Sequence, residues 1–194
     1  MEIDRDCWHG RNLEADGGVG DDGLALTAEG GRIGFVEINE ADCSWQEDGE
    51  KFVRLLDSYC RTSAGGGAGL AEEVGKRLLD EPPRYRNAIA FLSSEQEEFT
   101  GVILGSYNLY VFSGRPSANV QFLFVRPEHQ RRGIARHLVL AFENKARALG
   151  CCKVSLEVRE HNESAKALYG SLAYRRAAFG PQDDILEFWE KKLP

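Results

Sequence analysis

The stretch QFLFVRPEHQRRGIARHLVLAFENKARAL, residues 121–149, decides the fold. It begins with four apolar residues at 122–125, which predict a strand, and it ends in a long amphipathic pattern. Apolar residues that recur at spacings of three, four and seven predict one buried face of a helix, and Gly150 follows where helices commonly end. That face comprises Ile134, Leu138, Ala141, Phe142 and Leu149.

The turn between this strand and this helix predicts an anion-binding site. The first backbone N–H groups of a helix have no intrahelical partner, and the helix dipole places partial positive charge there. Gly133 lets a ligand approach the backbone closely, and Arg131, Arg132 and Arg136 add positive charge. A Gly-Lys-Ser/Thr ending and a G-x-G-x-x-G pattern are both missing from this turn, so the nucleotide-triphosphate and dinucleotide loops are not indicated.

Composition and charge limit the classes of function that this sequence can have. A chain of 194 residues with 42% hydrophobic content can bury a sizeable core. Its net charge of −7 argues against a general nucleic-acid-binding protein, which would carry a basic surface. The sequence has no apolar run of about 18 residues for a membrane span, and its first residues lack a secretory signal pattern.

The cysteines favour a cytoplasmic protein with reduced thiols. There are five of them, an odd number, and none has metal-ligand spacing. We therefore expect neither a metal site nor a disulfide framework.

The order of elements predicts a mixed α/β fold. Residues 1–30 are acidic and glycine-rich and predict a flexible tail, while residues 31–194 predict a folded domain. Within that domain the patterns indicate a strand at 33–38, helices at 51–60 and 71–79, and strands at 87–92, 101–112 and 118–125. After the central helix come a strand at 153–158, a helix at 162–172, and strands at 174–179 and 184–189. This order predicts a sheet of about six or seven strands flanked by about four helices.

A second motif follows the strand at 153–158. Asn162 is suited to cap the next helix, and Glu163 complements the helix dipole in the first turn. Tyr169 lies seven residues after Asn162, two helical turns, so the two share a face.

These motifs resemble the GNAT superfamily of GCN5-related N-acetyltransferases. Gln130, Gly133 and Ala135 are similar to the Gln/Arg-x-x-Gly-x-Gly/Ala loop that binds acetyl-CoA, and the segment from Asn162 to Tyr169 is similar to N-x-x-A-x-x-L-Y. The element order over about residues 33–193 also matches this family, which implies a mostly antiparallel mixed sheet. The resemblance implies that the following residues bind acetyl-CoA: Leu123, Phe124, Val125, Gln130, Arg131, Arg132, Gly133, Ile134, Ala135, Arg136 and Asn162.

The resemblance also implies the chemistry, which is direct acetyl transfer to an amine. In the family a strand N–H, here that of Val125, stabilises the thioester oxygen as it becomes negative, and a tyrosine, here Tyr169, protonates the departing thiolate. The amine must lose a proton, but residues 119–122, where the family often has a carboxylate base, contain no ionisable side chain. Glu157 is a candidate base, and Glu160, Asp57 or a water chain are alternatives.

We therefore expect an acetyl-CoA-dependent N-acetyltransferase whose acceptor is a small primary amine, such as a polyamine, an aminoglycoside or an amino-acid-like compound. Acetylation of a protein N-terminus or lysine is an alternative. A CoA-binding regulatory module without turnover is another, because carboxylates are missing from the strand before the loop. A homodimer through the late strands is left open.

Overall fold

The computed structural model describes residues 30–33, 36–41, 48–80, 87–179, 184–185 and 191. The tail predicted at residues 1–30 lies outside these residues except for Gly30. The chain divides into two compact units, of which one ends at Glu157 and the other begins at Val158.

The first unit contains a six-stranded sheet in the order β1-β2-β3-β4-β5-β6. Its strands are antiparallel except for β5 and β6, which pair in parallel. The strands are β1 (Gly30–Ile33), β2 (Val36–Glu40), β3 (Ala88–Glu95), β4 (Glu98–Tyr110), β5 (Arg115–Val125) and β6 (Val154–Leu156). The helices of this unit are α1 (Gly49–Cys60), α2 (Glu72–Asp80) and α3 (Ile134–Ala148).

The second unit contains, among its described residues, α4 (Glu163–Ser171) and a short antiparallel pair, β7 (Ala178–Phe179) and β8 (Asp184–Ile185). The described residues therefore hold four α-helices and one mixed, mostly antiparallel sheet of six strands, which confirms the predicted fold class.

Two helices pack on opposite faces of the sheet in the first unit. Phe52 of α1 lies edge-on to Phe122 of β5, with ring centroids 6.2 Å apart. Phe122 pairs with Leu104 on β4, and the next residue, Gly105, would place a Cβ 2.8 Å from the ring of Phe142 on α3. Since successive strand residues face opposite sides, α1 and α3 cover opposite faces of the sheet.

The amphipathic pattern that predicts α3 is confirmed by burial. Ile134, Leu138, Ala141 and Phe142 are all buried, and Leu149 is half-buried at the end of the helix. Burying such side chains contributes about 1.5–3 kcal/mol each, so this face fixes α3 on the sheet.

Several predicted boundaries differ from the structure, and the strands predicted at 153–158 and 174–179 are shorter, at Val154–Leu156 and Ala178–Phe179. The strand predicted at 33–38 is divided between β1 and β2, which pair antiparallel with Ile33 opposite Val36. The connection between the strands predicted at 87–92 and 101–112, which begins with the polar residues 93–98, is only a two-residue turn, Gln96 and Glu97, both with positive φ. The strands extend into this polar segment because Ser93 and Thr100, both fully buried, satisfy each other by a 2.8 Å hydrogen bond.

Candidate active site

The last residues of β5 leave one edge open. β6 pairs with β5 only at residues 118–120, so within the described residues no strand pairs with that edge from Gln121 onward. The register between β4 and β5 also shifts here, since Leu104 pairs with Phe122 but Gly105 with Val120. Gln121 is thus an extra residue, a β-bulge that bends the strand where the parallel pairing ends.

The backbone of Val125 faces this open edge. The N–H of Arg126 donates to the carbonyl of Thr100 on the β4 side, at 2.9 Å. Neighbouring strand residues alternate in direction, so the backbone groups of Leu123 and Val125 point away from β4. An extended ligand can therefore pair with them as an added strand would.

Gln130 connects the following loop to this edge. Its Nε2 donates to the carbonyl of Val125 at 2.9 Å. Between the two lies a single 3-10 turn, Pro127–His129, whose proline fixes φ at the first position. The side chain of Gln130 is thus used to hold the loop.

The loop ends in a left-handed turn at Gly133, which has φ of 82° and immediately precedes α3. Gly133 occupies the N-cap position of α3 and makes no side-chain cap there. The first intrahelical bond runs from the N–H of His137 to the carbonyl of Gly133, at 3.2 Å, so the N–H groups of residues 133–136 have no intrahelical acceptor. This uncapped end suits an anion such as a pyrophosphate.

His137 is a part of this loop that the sequence analysis missed. Its ring Nδ1 lies 2.9 Å from the carbonyl of Gly133, and the side chain is buried. The backbone N–H and the ring of His137 thus both contact the carbonyl of Gly133, which stabilises the left-handed turn. The only available signal was a histidine four residues after the loop glycine, in a position where an apolar residue would fit the helix pattern.

The loop arginines differ in their surroundings. The guanidinium of Arg132 forms two 2.8 Å hydrogen bonds to the carboxylate of Glu95, so its charge is compensated within the protein. Arg131 is exposed and has a left-handed backbone, with φ of 61°. Arg136 lies in the first turn of α3 and is half-buried.

Glu157 lies just beyond β6 and is exposed. Asn119 of β5 donates from Nδ2 to Glu157 Oε1 at 3.4 Å and to Ser155 Oγ at 3.2 Å. The amide thus orients a carboxylate on the strand beside β5, near the point where the two strands separate.

Asp57, an alternative base, has a structural role. Its Oδ2 accepts from Arg61 at 2.8 Å and its Oδ1 accepts from the N–H of Leu70 at 2.9 Å. The hydrogen bond from Arg61, followed by that from Leu70, lowers the pKa of the Asp57 carboxyl, so it is a weak base. Asp57 holds the end of α1 to the loop that leads to α2.

Asn162 and Tyr169 lie in the second unit. Asn162 Oδ1 accepts from the N–H of Ala165 at 3.1 Å and caps α4, as its position predicts. Tyr169 is buried, and its ring lies 5.6 Å from that of Tyr174. Burial raises the pKa of the Tyr169 hydroxyl, which therefore keeps its proton at neutral pH. Glu160, the remaining alternative base, is exposed, and its backbone carbonyl accepts from Lys166.

One group of potential metal ligands occurs outside these residues. Side-chain atoms of Glu98, Glu128 and His129 lie within 4.8 Å of one another. Glu98 forms an ion pair with Arg126 at 2.7 Å, and the ring of His129 lies 3.5 Å from the carboxylate of Glu95, so two of the three already have partners in the protein.

The sheet order and the strand–loop–helix unit from β5 to α3 define a protein of the mixed α/β fold class. The sequence model described as "Acetyltransferase (GNAT) family" matches residues 50–174. The chain therefore belongs to the GNAT family of acetyltransferase enzymes. It is 38% identical over 102 residues to an acetyltransferase of Pectobacterium atrosepticum, a match that covers 53% of this chain and 64% of that protein.

Solved structures have the same fold at low sequence identity. An aminoglycoside acetyltransferase from an uncultured soil metagenomic sample, in complex with sisomicin, superposes with a TM-score of 0.64 at 16% identity and covers 82% of this chain and 97% of its own. A transcriptional regulator from Bacillus halodurans superposes with a TM-score of 0.64 at 20% identity, and the match covers 80% of this chain and 99% of that chain. Among the described residues no helix is long and apolar enough to cross a membrane.

Proposed function

We propose that this protein transfers an acetyl group from acetyl-CoA to a primary amine of a small molecule. The observation that carries the proposal is the open edge of β5 at Leu123 and Val125, followed closely by the N-terminus of α3. The hydrogen bond from Gln130 to the carbonyl of Val125 holds the loop between the two. The edge suits an extended amide-bearing arm, and the helix end suits a pyrophosphate. Acetyl-CoA has both groups and supplies an activated thioester.

Each residue has a separate task in this proposal. The backbone of residues 123–125 aligns the arm of the coenzyme, with Phe124 packing into the core behind it, and the N–H groups of residues 131–136 bind its phosphates. The N–H of Val125 stabilises the developing negative charge. Tyr169 donates the proton that the departing sulfur takes up, and Asn162 contributes a coenzyme contact.

The proton of the amine goes to Glu157 in this proposal. Asn119 holds this carboxylate, and Asp57 is less suited because its oxygens accept hydrogen bonds from Arg61 and Leu70. A base is needed because only the neutral amine attacks a thioester.

The small-molecule class is favoured by the likeness to aminoglycoside acetyltransferases, although a likeness at 16% identity concerns the fold. The test is release of the CoA thiol with three groups of acceptors: polyamines and aminoglycosides, amino-acid-like amines, and peptides with a free N-terminus or lysine. Turnover confined to small amines supports the proposal. Turnover confined to peptides would replace it with protein acetylation, and coenzyme binding without any turnover would leave a regulatory module.

Two further expectations belong to this proposal: action in the cytoplasm, and assembly, if any, as a homodimer. Cell fractionation and sedimentation of the purified protein test them.

A further inference from the structure

The ion pair of Glu95 and Arg132, with the ring of His129 beside it, connects two loops that are far apart in sequence, and these three residues are named here the Glu95 clamp. Arg132 NH2 lies 2.8 Å from Glu95 Oε1, and Arg132 NH1 lies 2.8 Å from Glu95 Oε2. His129 Nδ1 lies 3.2 Å from Arg132 NH1 and 3.5 Å from Glu95 Oε2. Glu95 ends β3, so the clamp attaches the β3–β4 hairpin to the loop between β5 and α3.

The clamp changes the role of Arg132. A guanidinium that meets both oxygens of a carboxylate makes the strongest type of side-chain ion pair, with fixed orientation. The side chain of Glu95 is 19% exposed and that of Arg132 is 44% exposed, so the pair lies at the surface, and its two parallel hydrogen bonds fix its geometry. Because the carboxylate compensates the charge of Arg132, the side chain of Arg132 serves to hold the loop in place.

The loop needs to be held because its backbone is left-handed on both sides of Arg132, and Arg131, which is not a glycine, is strained in that conformation. Arg131 has φ of 61° and Gly133 has φ of 82°. The left-handed conformation costs a non-glycine residue about 1–2 kcal/mol, so Arg131 relaxes unless its neighbours are held. Gln130 is held by its bond to Val125 and Gly133 by its contact with His137, and Arg132 between them is held by Glu95.

We propose that Glu95 is a positioning residue for coenzyme binding: through Arg132 it holds the backbone N–H groups of residues 131–136 in the conformation that accepts a pyrophosphate. Glu95 itself contacts no coenzyme. This inference rests on the proposed function, since it names what prepares the same loop for acetyl-CoA.

A direct role of Arg132 in phosphate binding would predict the opposite change in the Kd for CoA when Glu95 is replaced. If its guanidinium were a direct phosphate ligand, Glu95 would compete with the phosphate, and removal of the Glu95 charge would tighten CoA binding. If Glu95 positions the loop, the same change weakens binding.

The test is calorimetric titration of CoA into wild type, Glu95→Gln, Arg132→Gln and the double variant. We expect each single variant to raise the Kd for CoA by roughly threefold to tenfold, and the double variant to be no worse than the singles, because the two residues act as one unit. Turnover assays add a second readout, in which KM for acetyl-CoA rises while kcat and KM for the amine stay unchanged. Tighter or unchanged CoA binding in Glu95→Gln, or fully additive losses, would overturn the proposal.

Glu143→Gln is the matched control. Glu143 pairs with Arg147 at 2.7 Å on α3, and its side chain is 13% exposed, close to the value for Glu95. The control therefore removes a similar ion pair away from the loop, and we expect its Kd for CoA to match that of wild type.

Hydrogen exchange of the free protein separates this inference from the proposed function. Glu95→Gln should speed amide exchange in residues 130–136, and Glu143→Gln should not, whether or not the protein binds CoA. If wild type binds no CoA, the proposed function fails and with it the coenzyme role of Glu95, even where exchange shows that the clamp holds the loop. Unchanged exchange in Glu95→Gln would contradict the clamp itself.

Discussion

The hydroxyl of Tyr169, the proton donor in the proposed reaction, is protonated at neutral pH. The side chain is 9% exposed, and burial raises its pKa from the ordinary value of 10.0. A raised pKa means that the protonated form persists to higher pH, so the donor is present throughout the neutral range.

Replacing Tyr169 by phenylalanine tests this role. The ring stays in place, so we expect the Kd for acetyl-CoA to be unchanged while kcat falls by about 10²- to 10⁴-fold, the usual contribution of a positioned acid. Steady-state thiol release and calorimetry measure the two quantities. Tyr110→Phe, on the β4–β5 hairpin, is the control, and a Tyr169→Phe protein with full turnover would remove the acid assignment.

Asp57 is a structural residue, and its contribution to the free energy of unfolding depends on pH. Its pKa lies below the model-compound value of 3.8, mainly because Arg61 donates to it. A lowered pKa means that the carboxylate stabilises the fold above pH 3.8 and that this contribution is lost as the pH falls through the folded-state pKa.

We therefore expect Asp57→Asn to lower the melting temperature at pH 7, and the difference from wild type to shrink as the pH falls below 3.8. Glu50→Gln on the same helix is the control, because Glu50 and Arg54 are 3.6 Å apart and both 76% exposed, and such pairs contribute little. A difference that stays constant down to pH 2 would mean that the charge of Asp57 has no role.

The cap formed by Asn162 was predictable from sequence, whereas the partner of Arg132 was not. The cap formed by Asn162 depends on an N–H three residues away, which the pattern contains. The partner of Arg132 is 37 residues distant, so the sequence showed a free positive charge where the structure has a compensated one. Asp57 was likewise a candidate base until its bond to Leu70, thirteen residues on, was known.

At the scale of elements, the unit from β5 to α3 depends on the left-handed turn at Gly133. A Cβ there would meet only the ring of His137 at 3.6 Å, which is ordinary contact, so the need for glycine comes from φ of 82°. Close approach of a ligand, the sequence interpretation of this glycine, stays a prediction beside this conformational requirement.

We expect Gly133→Ala to destabilise the protein by about 1 kcal/mol, the cost of a left-handed alanine, and to weaken acetyl-CoA binding because the start of α3 shifts. Denaturant unfolding and calorimetry measure the two effects. Gly75→Ala is the control: it lies in α2, where a Cβ would make only ordinary contacts of 3.7 and 3.8 Å, and alanine favours a helix over glycine by about 0.5–1 kcal/mol. A stabilised Gly133→Ala with normal binding would contradict this account of the loop.

The long, regular elements were predictable because their periodicity is local, whereas the pairing between elements was not. The apolar face of α3 follows from spacing alone, and the structure buries it. The bulge at Gln121 and the short β5–β6 pairing that open the edge depend on how three strands meet, and nothing in the residue pattern records this.

At the scale of the whole molecule, the family membership and the acceptor rest on different kinds of observation. The match over residues 50–174 spans the coenzyme loop and the Tyr169 motif and establishes the family. Solved relatives at 16–20% identity retain the fold with TM-scores of 0.64, yet one is named for aminoglycosides and another for transcriptional regulation. A single binding experiment can therefore decide whether the protein binds acetyl-CoA, which is one part of the proposal.

That experiment is calorimetric titration of acetyl-CoA into the purified wild-type protein, with NADH as a second pyrophosphate-containing ligand. The account predicts one site for acetyl-CoA with a Kd on the order of micromolar, about −8 kcal/mol, and no binding of NADH, because the loop lacks the dinucleotide pattern. Absence of acetyl-CoA binding, or equal binding of both ligands, would contradict the central claim that the open edge of β5 and the N-terminus of α3 form an acetyl-CoA site.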